Sequence, residues 1–139
     1  MIASNRTYKF HADNTIPKGD WIWVFGSDES GKHRKGAAKV AHVSFGAKYG
    51  EGQGQTGKAY AIPVSDKHLK TLPLEQIEAN IWLFLDFAKK NPTQNFYIAQ
   101  NGFVFDGSYA TIPNQFALVP PNCSLPDAWR PNVAAKFDI

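Results

Sequence analysis

The chain has 139 residues, a length typical of one domain that is large enough to bury a hydrophobic core. Hydrophobic residues make up 43% of the chain and charged residues 19%, which excludes an intrinsically disordered protein. The net charge of +3 is a weak indication of a polyanionic partner, although Lys32-His33-Arg34-Lys35 concentrates positive charge in one short segment.

The cysteine content and the apolar segments predict a cytoplasmic protein without membrane contact. Cys123 is the only cysteine, so no internal disulfide forms, and a lone thiol is typical of a reducing compartment. The segment Met1 to Arg6 lacks the apolar stretch of a secretory signal. The longest apolar segment, Ile81 to Ala88, contains Asp86 and is too short to cross a bilayer.

The first elements in chain order are strands. Thr7 to Phe10 is predicted to be a short edge strand, and Asn14 to Asp20 is predicted to be a turn. Trp21 to Phe25 is a continuous apolar run that predicts a strand buried on both faces. The dipeptide Gly26-Ser27 is expected to end this strand abruptly.

A helix and a second buried strand follow. The segment from Gly36 to Phe45 is predicted to be a helix that packs on the sheet through small residues and ends at Gly46. Tyr49 to Gly57 has neither a helical nor a strand period. Ala59 to Pro63 is predicted to be a buried strand that its proline ends.

The most regular helical pattern runs from Leu72 to Lys90. Pro73 suits the first helical position, and lysines at the C-terminal end suit the helix dipole. The residues predicted to face the core are Leu74, Ile77, Ile81 and Leu85, with Trp82 and Phe84 also assigned to the core.

The last third of the chain contains shorter elements. Phe96 to Ala99 is predicted to be a strand that runs into Gln100-Asn101-Gly102. Tyr109 to Leu118 is predicted to be a short helix despite its proline, and Asn122 to Leu125 a short strand before a proline-bearing tail.

Strands that alternate with helices predict a single α/β domain over residues 1–139, a three-layer sandwich with a mixed, partly parallel sheet. Ligands bind such sheets beyond the carboxyl ends of the strands. Three predicted strands end in glycine-bearing or polar turns, at Gly26-Ser27, Pro63 to Asp66 and Asn101-Gly102. The sequence therefore places the candidate site where these turns converge.

Eight of the eleven glycines lie between Gly26 and Gly57. Glycine lets backbone N–H groups approach an oxyanion closely, and a helix that starts near Gly36 would direct its N-terminus at that anion. The segment Gly52 to Gly57 spells G-x-G-x-x-G, but a strand follows it where a dinucleotide-binding motif needs a helix. Either these glycines form a cradle for a phosphate-bearing, nucleotide-like ligand, or they serve turns alone.

Two blocks of this region resemble a known family. Val24 to Ala38 resembles V-F-G-S-N-x-x-G-x-H-G-x-G-A-A, and Tyr49 to Pro63 resembles Y-G-x-G-x-G-x-x-G-x-S/A-Y-A-I-P. Both are signatures of a family of small proteins from bacteria and their phages. Asp28 stands where that family usually has Asn, and Arg34 and Lys35 replace small residues.

That family is in turn distantly similar to macro domains, which bind ADP-ribose and some of which hydrolyse its derivatives. The resemblance implies a macro-like fold and a ligand such as ADP-ribose. It places Gly36-Ala37-Ala38 in the first ligand-binding loop, and Asn101-Gly102 through Asp106-Gly107 in the loop that wraps the diphosphate. Phe103 and Phe105 would then form a wall of the site against an adenine or a ribose.

Individual side chains leave alternatives open. Three roles are open for His33: contact with phosphate, general acid or base catalysis, or a position facing solvent. Two are open for Arg34 and Lys35: binding of a phosphate, or solvation of the loop alone. Asp28 and Glu29 suit ribose hydroxyls or loop capping, and Asp106 has the same two interpretations. His42 is predicted to be a packing or surface residue, His11 and His68 lack neighbours in the pattern, and Tyr109 and Trp129 are candidates for a stacking surface. No residues have metal-ligand spacing, no nucleophile is evident, and no cofactor is predicted.

The first hypothesis is a binding module for ADP-ribose or a related nucleotide diphosphate, acting as a reader, sensor or sequestering protein. The second is a hydrolase of ADP-ribosyl conjugates or of a nucleotide-derived signal, with His33 and Asp28 as catalytic residues. The third is a nucleic-acid-binding domain that uses Lys32 to Lys39. The predicted ligand-binding residues are Gly26, Ser27, Asp28, Gly31, His33, Arg34, Lys35, Gly36, Ala37, Gly54, Gln55, Gly57, Asn101, Gly102, Phe103 and Asp106.

Overall fold

The computed structural model describes residues 8–137, with side chains described for residues 8–133. Six strands form one sheet: β1 (Lys9–His11), β2 (Trp21–Asp28), β3 (Gly54–Thr56), β4 (Ala59–Ser65), β5 (Asn95–Ile98) and β6 (Cys123–Pro126). The α-helices are α1 (Gly36–Phe45), α2 (Leu74–Lys90) and α3 (Arg130–Phe137). Short 3₁₀ helices cover Gly107–Tyr109, Ile112–Leu118 and Asp127–Trp129.

The strand order in the sheet is β1-β6-β5-β2-β4-β3. Every neighbouring pair is parallel except β3 and β4, which are antiparallel. The chain is therefore an α/β protein with a mixed, mainly parallel sheet, as the alternation of strands and helices predicts. The carboxyl ends of β2, β4 and β5 consequently lie along one edge of the sheet.

Apolar residues are buried on both faces of the sheet. On one face, α1 covers a small cluster that includes Trp23, Phe25, Ala41 and Tyr97. On the other face, α2 and the C-terminal elements cover a larger cluster that includes Ile62, Ile81, Phe84, Phe116 and Trp129. Helices thus lie on both sides of the sheet, an arrangement compatible with a three-layer sandwich.

Helix α1 begins and ends where the sequence predicts. The apolar run of β2 is buried from Ile22 to Phe25, and the prediction that Gly26-Ser27 ends this strand is wrong, because β2 continues to Asp28. The indole Nε1 of Trp23 donates a hydrogen bond to the Ala37 carbonyl at 2.9 Å. This bond ties the first turn of α1 to the sheet. The helix ends at Gly46, whose φ of 74° is a left-handed conformation that glycine adopts without strain.

Helix α2 buries Ile77, Ile81 and Phe84, while Leu74 and Leu85 are only partly buried. The assignment of Trp82 to the core is wrong, since this residue is 53% exposed. Residues at 77, 81, 84 and 88 form one stripe along the helix, and position 82 lies off that stripe. The Trp82 indole instead donates a hydrogen bond to Gln115 at 3.0 Å.

Strand β4 continues past Pro63 to Ser65, so the proline does not end it as predicted. β3 pairs with β4 only as far as Ala61, and the Pro63 carbonyl accepts a hydrogen bond from the Asn80 side chain. Pro63 therefore lies where one side of β4 has no strand neighbour, and its missing N–H removes no ladder bond.

Several short elements depart from the sequence predictions. The segment Tyr49 to Gly57 was predicted to have no strand, yet it contains β3. The predicted helix from Tyr109 to Leu118 is two 3₁₀ segments, and the tail contains α3. The predicted edge strand is β1, although Thr7 lies outside the described residues. Among residues 8–137, no helix has the length and apolarity needed to cross a membrane.

Candidate functional site

The site is built where β2 and β4 end side by side. These two strands pair in parallel, with Ser27 opposite Pro63 and Asp28 opposite Ser65. Each strand then enters a polar loop, and the Glu29 N–H donates a hydrogen bond to the Ser65 carbonyl at 3.0 Å. The pairing therefore brings together two loops that are far apart in the sequence.

Between these two loops lies a cleft of about 440 Å³, here called the cationic cleft. Its positive and titratable side chains come from both loops: Lys32, Arg34 and Lys35 from the loop before α1, and Lys67 and His68 from the loop after β4. Its remaining lining residues are Gly26, Ser27, Asp28, Ala38, Val64, Ser65 and Leu69. The cleft thus combines a positive rim with apolar walls.

The N-terminus of α1 opens at this cleft. Lys35 occupies the N-cap position in an extended conformation and makes no side-chain cap hydrogen bond, and the first turn contains no acidic residue. Backbone N–H groups of a first helical turn have no partner within the helix, and the helix dipole makes this end favourable for anions. The helix end and the lysine and arginine side chains therefore favour the same type of ligand.

A second cavity of about 210 Å³, here called the neutral pocket, lies on the other side of the α1 N-terminus. It is lined by aromatic, small or aliphatic, and uncharged polar residues together with one histidine: His11, Asn14, Thr15, Ile16, Trp23, Gly36, Ala37, Val40, Tyr97, Ala99, Gln100 and Asn101. Gly36 and Ala37 line this pocket, while Lys35 and Ala38 line the cationic cleft. The first turn of α1 is therefore shared by both cavities.

One wall of the neutral pocket is a stacked pair of rings. His11 stacks on Tyr97 with ring centroids 3.6 Å apart, and the Tyr97 hydroxyl hydrogen-bonds to Thr15. His11 Nε2 donates to the Ile98 carbonyl at 3.0 Å, which leaves Nδ1 to accept from the Ser124 hydroxyl at 2.7 Å. The prediction that His11 lacks neighbours is wrong, because the β1–β6 pairing that supplies Ser124 is not visible in the sequence.

Burial lowers the pKa of His11 below its ordinary value of 6.5, against the opposing effects of the Ile98 carbonyl and of Asp127 and Asp13. The folded protein therefore binds this proton less readily than the unfolded chain does. The stability that neutral His11 contributes is complete above pH 6.5 and is lost as the pH falls through the lowered pKa.

We expect His11→Gln to lower the free energy of unfolding by about 1–3 kcal/mol at pH 7.5, because two hydrogen bonds are disturbed. The difference from the unmodified protein should shrink as the pH falls from 7.5 to 5, because the unfolded chain binds a proton at His11 more readily than the folded protein does. Urea unfolding at both pH values measures this, with His68→Gln at an exposed position as the control. An equal loss of unfolding free energy at both pH values would contradict a lowered pKa for His11.

The glycine-rich loops pack tightly on each other next to the cleft. The Ser27 hydroxyl donates to the Gly52 carbonyl, and the Gly50 N–H donates to the Gly31 carbonyl at 2.9 Å. A Cβ built on Gly52 would contact the Asp28 carbonyl and lie 2.9 Å from the carbonyl carbon and oxygen of Glu29. The absence of a side chain at Gly52 is therefore required by close backbone packing.

Part of the predicted ligand-binding set lies together in the structure. Gly26, Ser27, Asp28, Arg34 and Lys35 line the cationic cleft, and Gly36, Ala37 and Asn101 line the neutral pocket. Gly102 packs against Gly26, with a Cβ built on Gly26 falling 2.9 Å from the Gly102 carbonyl oxygen. Asp28 Oδ1 accepts hydrogen bonds from the backbone and the hydroxyl of Ser30, so this carboxylate caps the loop.

The rest of the predicted set lies elsewhere. Gly54, Gln55 and Gly57 lie in β3 and its turn, at the amino ends of the parallel strands, where Gln55 pairs with Gln94. Phe103 is fully buried against Phe116 and Trp129, so it is not a wall for a ligand ring. Asp106 is exposed and lines neither cavity. Gly31 packs against the backbone of Glu51.

His33 is buried under its own loop. The residue is 3% exposed, its Nε2 donates to the Lys48 carbonyl at 3.1 Å, and its ring packs edge-on against Phe25. It lines neither the cationic cleft nor the neutral pocket. Its contacts are those of a residue that holds the loop in place.

Sequence reasoning missed Lys67, His68 and Leu69 of the cationic cleft, and Trp23 and Tyr97 of the neutral pocket. The predicted turn from Pro63 to Asp66 is followed directly by Lys67 and His68. These basic residues were the signal in the sequence from which the second side of the cleft could have been predicted. Over the described part of the chain, no group of three or more His, Cys, Asp or Glu side chains has the arrangement of a metal site.

Comparison of the chain with protein-family models, with curated proteins and with solved structures gave no match.

Proposed function

We propose that the protein binds ADP-ribose or a related nucleotide diphosphate across the first turn of α1, as a reader, sensor or sequestering protein. The phosphates lie in the cationic cleft at the N-terminus of α1, and the nucleoside lies in the neutral pocket. The family that Val24 to Ala38 resembles is distantly similar to macro domains, and this similarity suggests the same class of ligand. The observation that carries the proposal is that two cavities of different chemistry meet at one uncapped helix N-terminus.

The phosphate half of the proposal depends on charge. Arg34 and Lys35 are exposed and lie directly before α1, so both are free to reach an anion at the helix end. A guanidinium and an ammonium group form strong, charge-assisted hydrogen bonds with phosphate oxygens. Lys67 lines the cleft from the opposite loop, so positive side chains flank an anion on both sides. Asp28 also lines the cleft, and one of its carboxylate oxygens accepts hydrogen bonds from the Ser30 N–H and hydroxyl.

The nucleoside half depends on shape and polarity. Trp23 and Tyr97 are buried and stack on neighbouring rings, so they contribute a rigid aromatic wall to the neutral pocket rather than open ring faces. Gln100 and Asn101 add amide groups that donate and accept hydrogen bonds. A pocket with aromatic walls and a few fixed polar groups is typical of sites for ring-containing ligands. No comparable set of rings lines the cationic cleft.

The hydrolase hypothesis requires a catalytic group at the ligand. His33 is buried against Phe25, and Asp28 accepts hydrogen bonds from Ser30, so their contacts favour a structural role for both. Binding without turnover is therefore the better-supported proposal.

The experiment is a titration of ADP-ribose, AMP and inorganic phosphate by calorimetry, with thermal unfolding as a second readout. We expect the double variant Arg34→Ala/Lys35→Ala to weaken ADP-ribose binding about a hundredfold, since it removes two charge-assisted hydrogen bonds. Lys89→Ala/Lys90→Ala removes the same charge at the far end of α2 and should leave binding unchanged.

Absence of binding by every nucleotide would refute the proposal. An oligonucleotide that binds more tightly than ADP-ribose, with an affinity that falls steeply with salt, would instead favour the nucleic-acid hypothesis for Lys32 to Lys39. The affinity for a nucleotide bound at the helix end and in the pocket should fall much less steeply with salt, because binding of a nucleotide releases few counterions.

A further inference from the structure

The turn between β4 and α2 holds an exposed leucine in an unfavourable backbone conformation. Leu69 has a φ of 64° and is 69% exposed. A branched side chain is disfavoured in this left-handed region, and exposure of a leucine gives no compensating burial. Such conformations persist where the surroundings impose them, and they concentrate at ligand-binding sites.

The surroundings of Leu69 do impose this conformation. The Asp66 carboxylate accepts hydrogen bonds from the N–H groups of His68 at 2.8 Å and Lys70 at 3.0 Å. The Asp66 N–H donates to the Lys70 carbonyl at 2.8 Å, and the Leu69 N–H donates to the Asp66 carbonyl at 2.9 Å. Four hydrogen bonds therefore fix a five-residue turn that presents one apolar side chain.

That side chain lines the cationic cleft. Leu69 shares the lining with Val64 and Ala38, which are both half-buried, and these three residues form the apolar part of the cleft. A diphosphate would engage the lysines and the arginine but would leave this apolar part in contact with water. The cleft is also about twice the volume of the neutral pocket, at 440 Å³ against 210 Å³.

From this we infer the class of ligand, an inference that rests on the proposed function. The ligand is a dinucleotide-type nucleotide diphosphate, whose second half ends in an uncharged planar ring that packs on Leu69 and Val64. Leu69 is the residue that distinguishes such a ligand from one that ends in a polar sugar. The ring excludes water from the apolar part of the cleft, while the phosphates stay at the α1 N-terminus.

The test compares ADP, ADP-ribose and NADH by titration calorimetry, because NADH differs from ADP-ribose only by its uncharged dihydronicotinamide ring. We expect NADH to bind about tenfold more tightly than ADP-ribose, since the ring and the leucine bury apolar surface on each other. Leu69→Asn removes the apolar contact and keeps the turn, because asparagine tolerates a positive φ. This variant should bind NADH and ADP-ribose with equal affinity and should leave the affinity for ADP unchanged.

Leu69→Gly separates the ligand contact from the stability of the turn. Glycine relieves the unfavourable φ, so this variant should melt at a higher temperature and still lose the preference for NADH. Val43→Ala, at a 70% exposed position of α1 outside both cavities, should leave the affinities for all three ligands unchanged. ADP, ADP-ribose and NADH binding with equal affinity, or Leu69→Asn weakening all three equally, would overturn the inference and leave the proposed function standing. Failure of all three to bind would overturn both.

Discussion

Gly52→Ala is expected to destabilise the protein by about 3 kcal/mol, which corresponds to a fall in melting temperature of roughly 10 °C. A methyl group at this position would meet the backbone of Asp28 and lie 2.9 Å from the carbonyl carbon and oxygen of Glu29. A flexible side chain would move aside at little cost, but here the obstacle is the end of β2. The two loops must separate to admit one carbon atom.

The separation would also disturb the cationic cleft. Asp28 lines the cleft, and the Glu29 N–H holds the end of β2 to Ser65 of β4. Gly52→Ala should therefore weaken nucleotide binding as well as stability. Urea unfolding measures the first effect and calorimetry the second.

Gly107→Ala is the matched control for this variant. A Cβ at Gly107 would have no atom within 4 Å, so its only cost is the positive φ of 63°, about 1–2 kcal/mol. Gly52 does not have a positive φ, so the loss in Gly52→Ala comes from the steric conflict alone and should exceed that of Gly107→Ala. A loss no larger than that of Gly107→Ala would show that the two loops separate at a lower cost than expected.

The elements that could be predicted are those with local signals. β2 begins with a continuous apolar run, and α1 is bounded by Gly36 and Gly46, so the start of β2 and both ends of α1 follow from neighbouring residues alone. α3 has a weak amphipathic pattern, and β3 has only three residues, two of them polar. These elements are stabilised by contacts with distant parts of the chain, which a single sequence does not reveal.

The candidate site divides in the same way. Gly26 to Lys35 could be predicted because the strand, the loop and the basic residues are contiguous in the sequence. Lys67 and Leu69 reach the same cleft only because β2 and β4 pair in parallel. Gly54 and Gly57 lie away from it because β3 runs antiparallel to β4 and carries the chain from Gly52, which packs beside the cleft, to Gly57 at the opposite edge of the sheet.

The tryptophans show most directly what the sequence lacks. Trp82 was assigned to the core and Trp129 to a stacking surface, and both assignments are wrong. Trp129 is 2% exposed and packs on Phe116 with ring centroids 5.0 Å apart. Composition identifies both residues as large and apolar, but only the packing of the C-terminal elements against Phe103 and Phe116 decides which one is covered.

We therefore expect two chemically identical substitutions to lower the free energy of unfolding by very different amounts. Trp129→Ala should lower the free energy of unfolding by about 3–5 kcal/mol, because it opens a large cavity among Phe103, Phe116 and Val133. Trp82→Ala should cost less than about 1 kcal/mol, because its ring is half in water and loses chiefly one exposed hydrogen bond to Gln115. Urea unfolding of both variants gives the comparison.

A third variant separates cavity formation from the loss of a polar group. The Trp129 indole nitrogen is buried and has no hydrogen-bond partner among the described residues, so replacing the indole with a phenyl ring leaves no other group unsatisfied. Trp129→Phe should therefore recover most of the stability that Trp129→Ala loses. If Trp129→Phe and Trp129→Ala were equally unstable, the indole nitrogen would have to make a hydrogen bond, and the packing of Trp129 against Phe116 would have to be different.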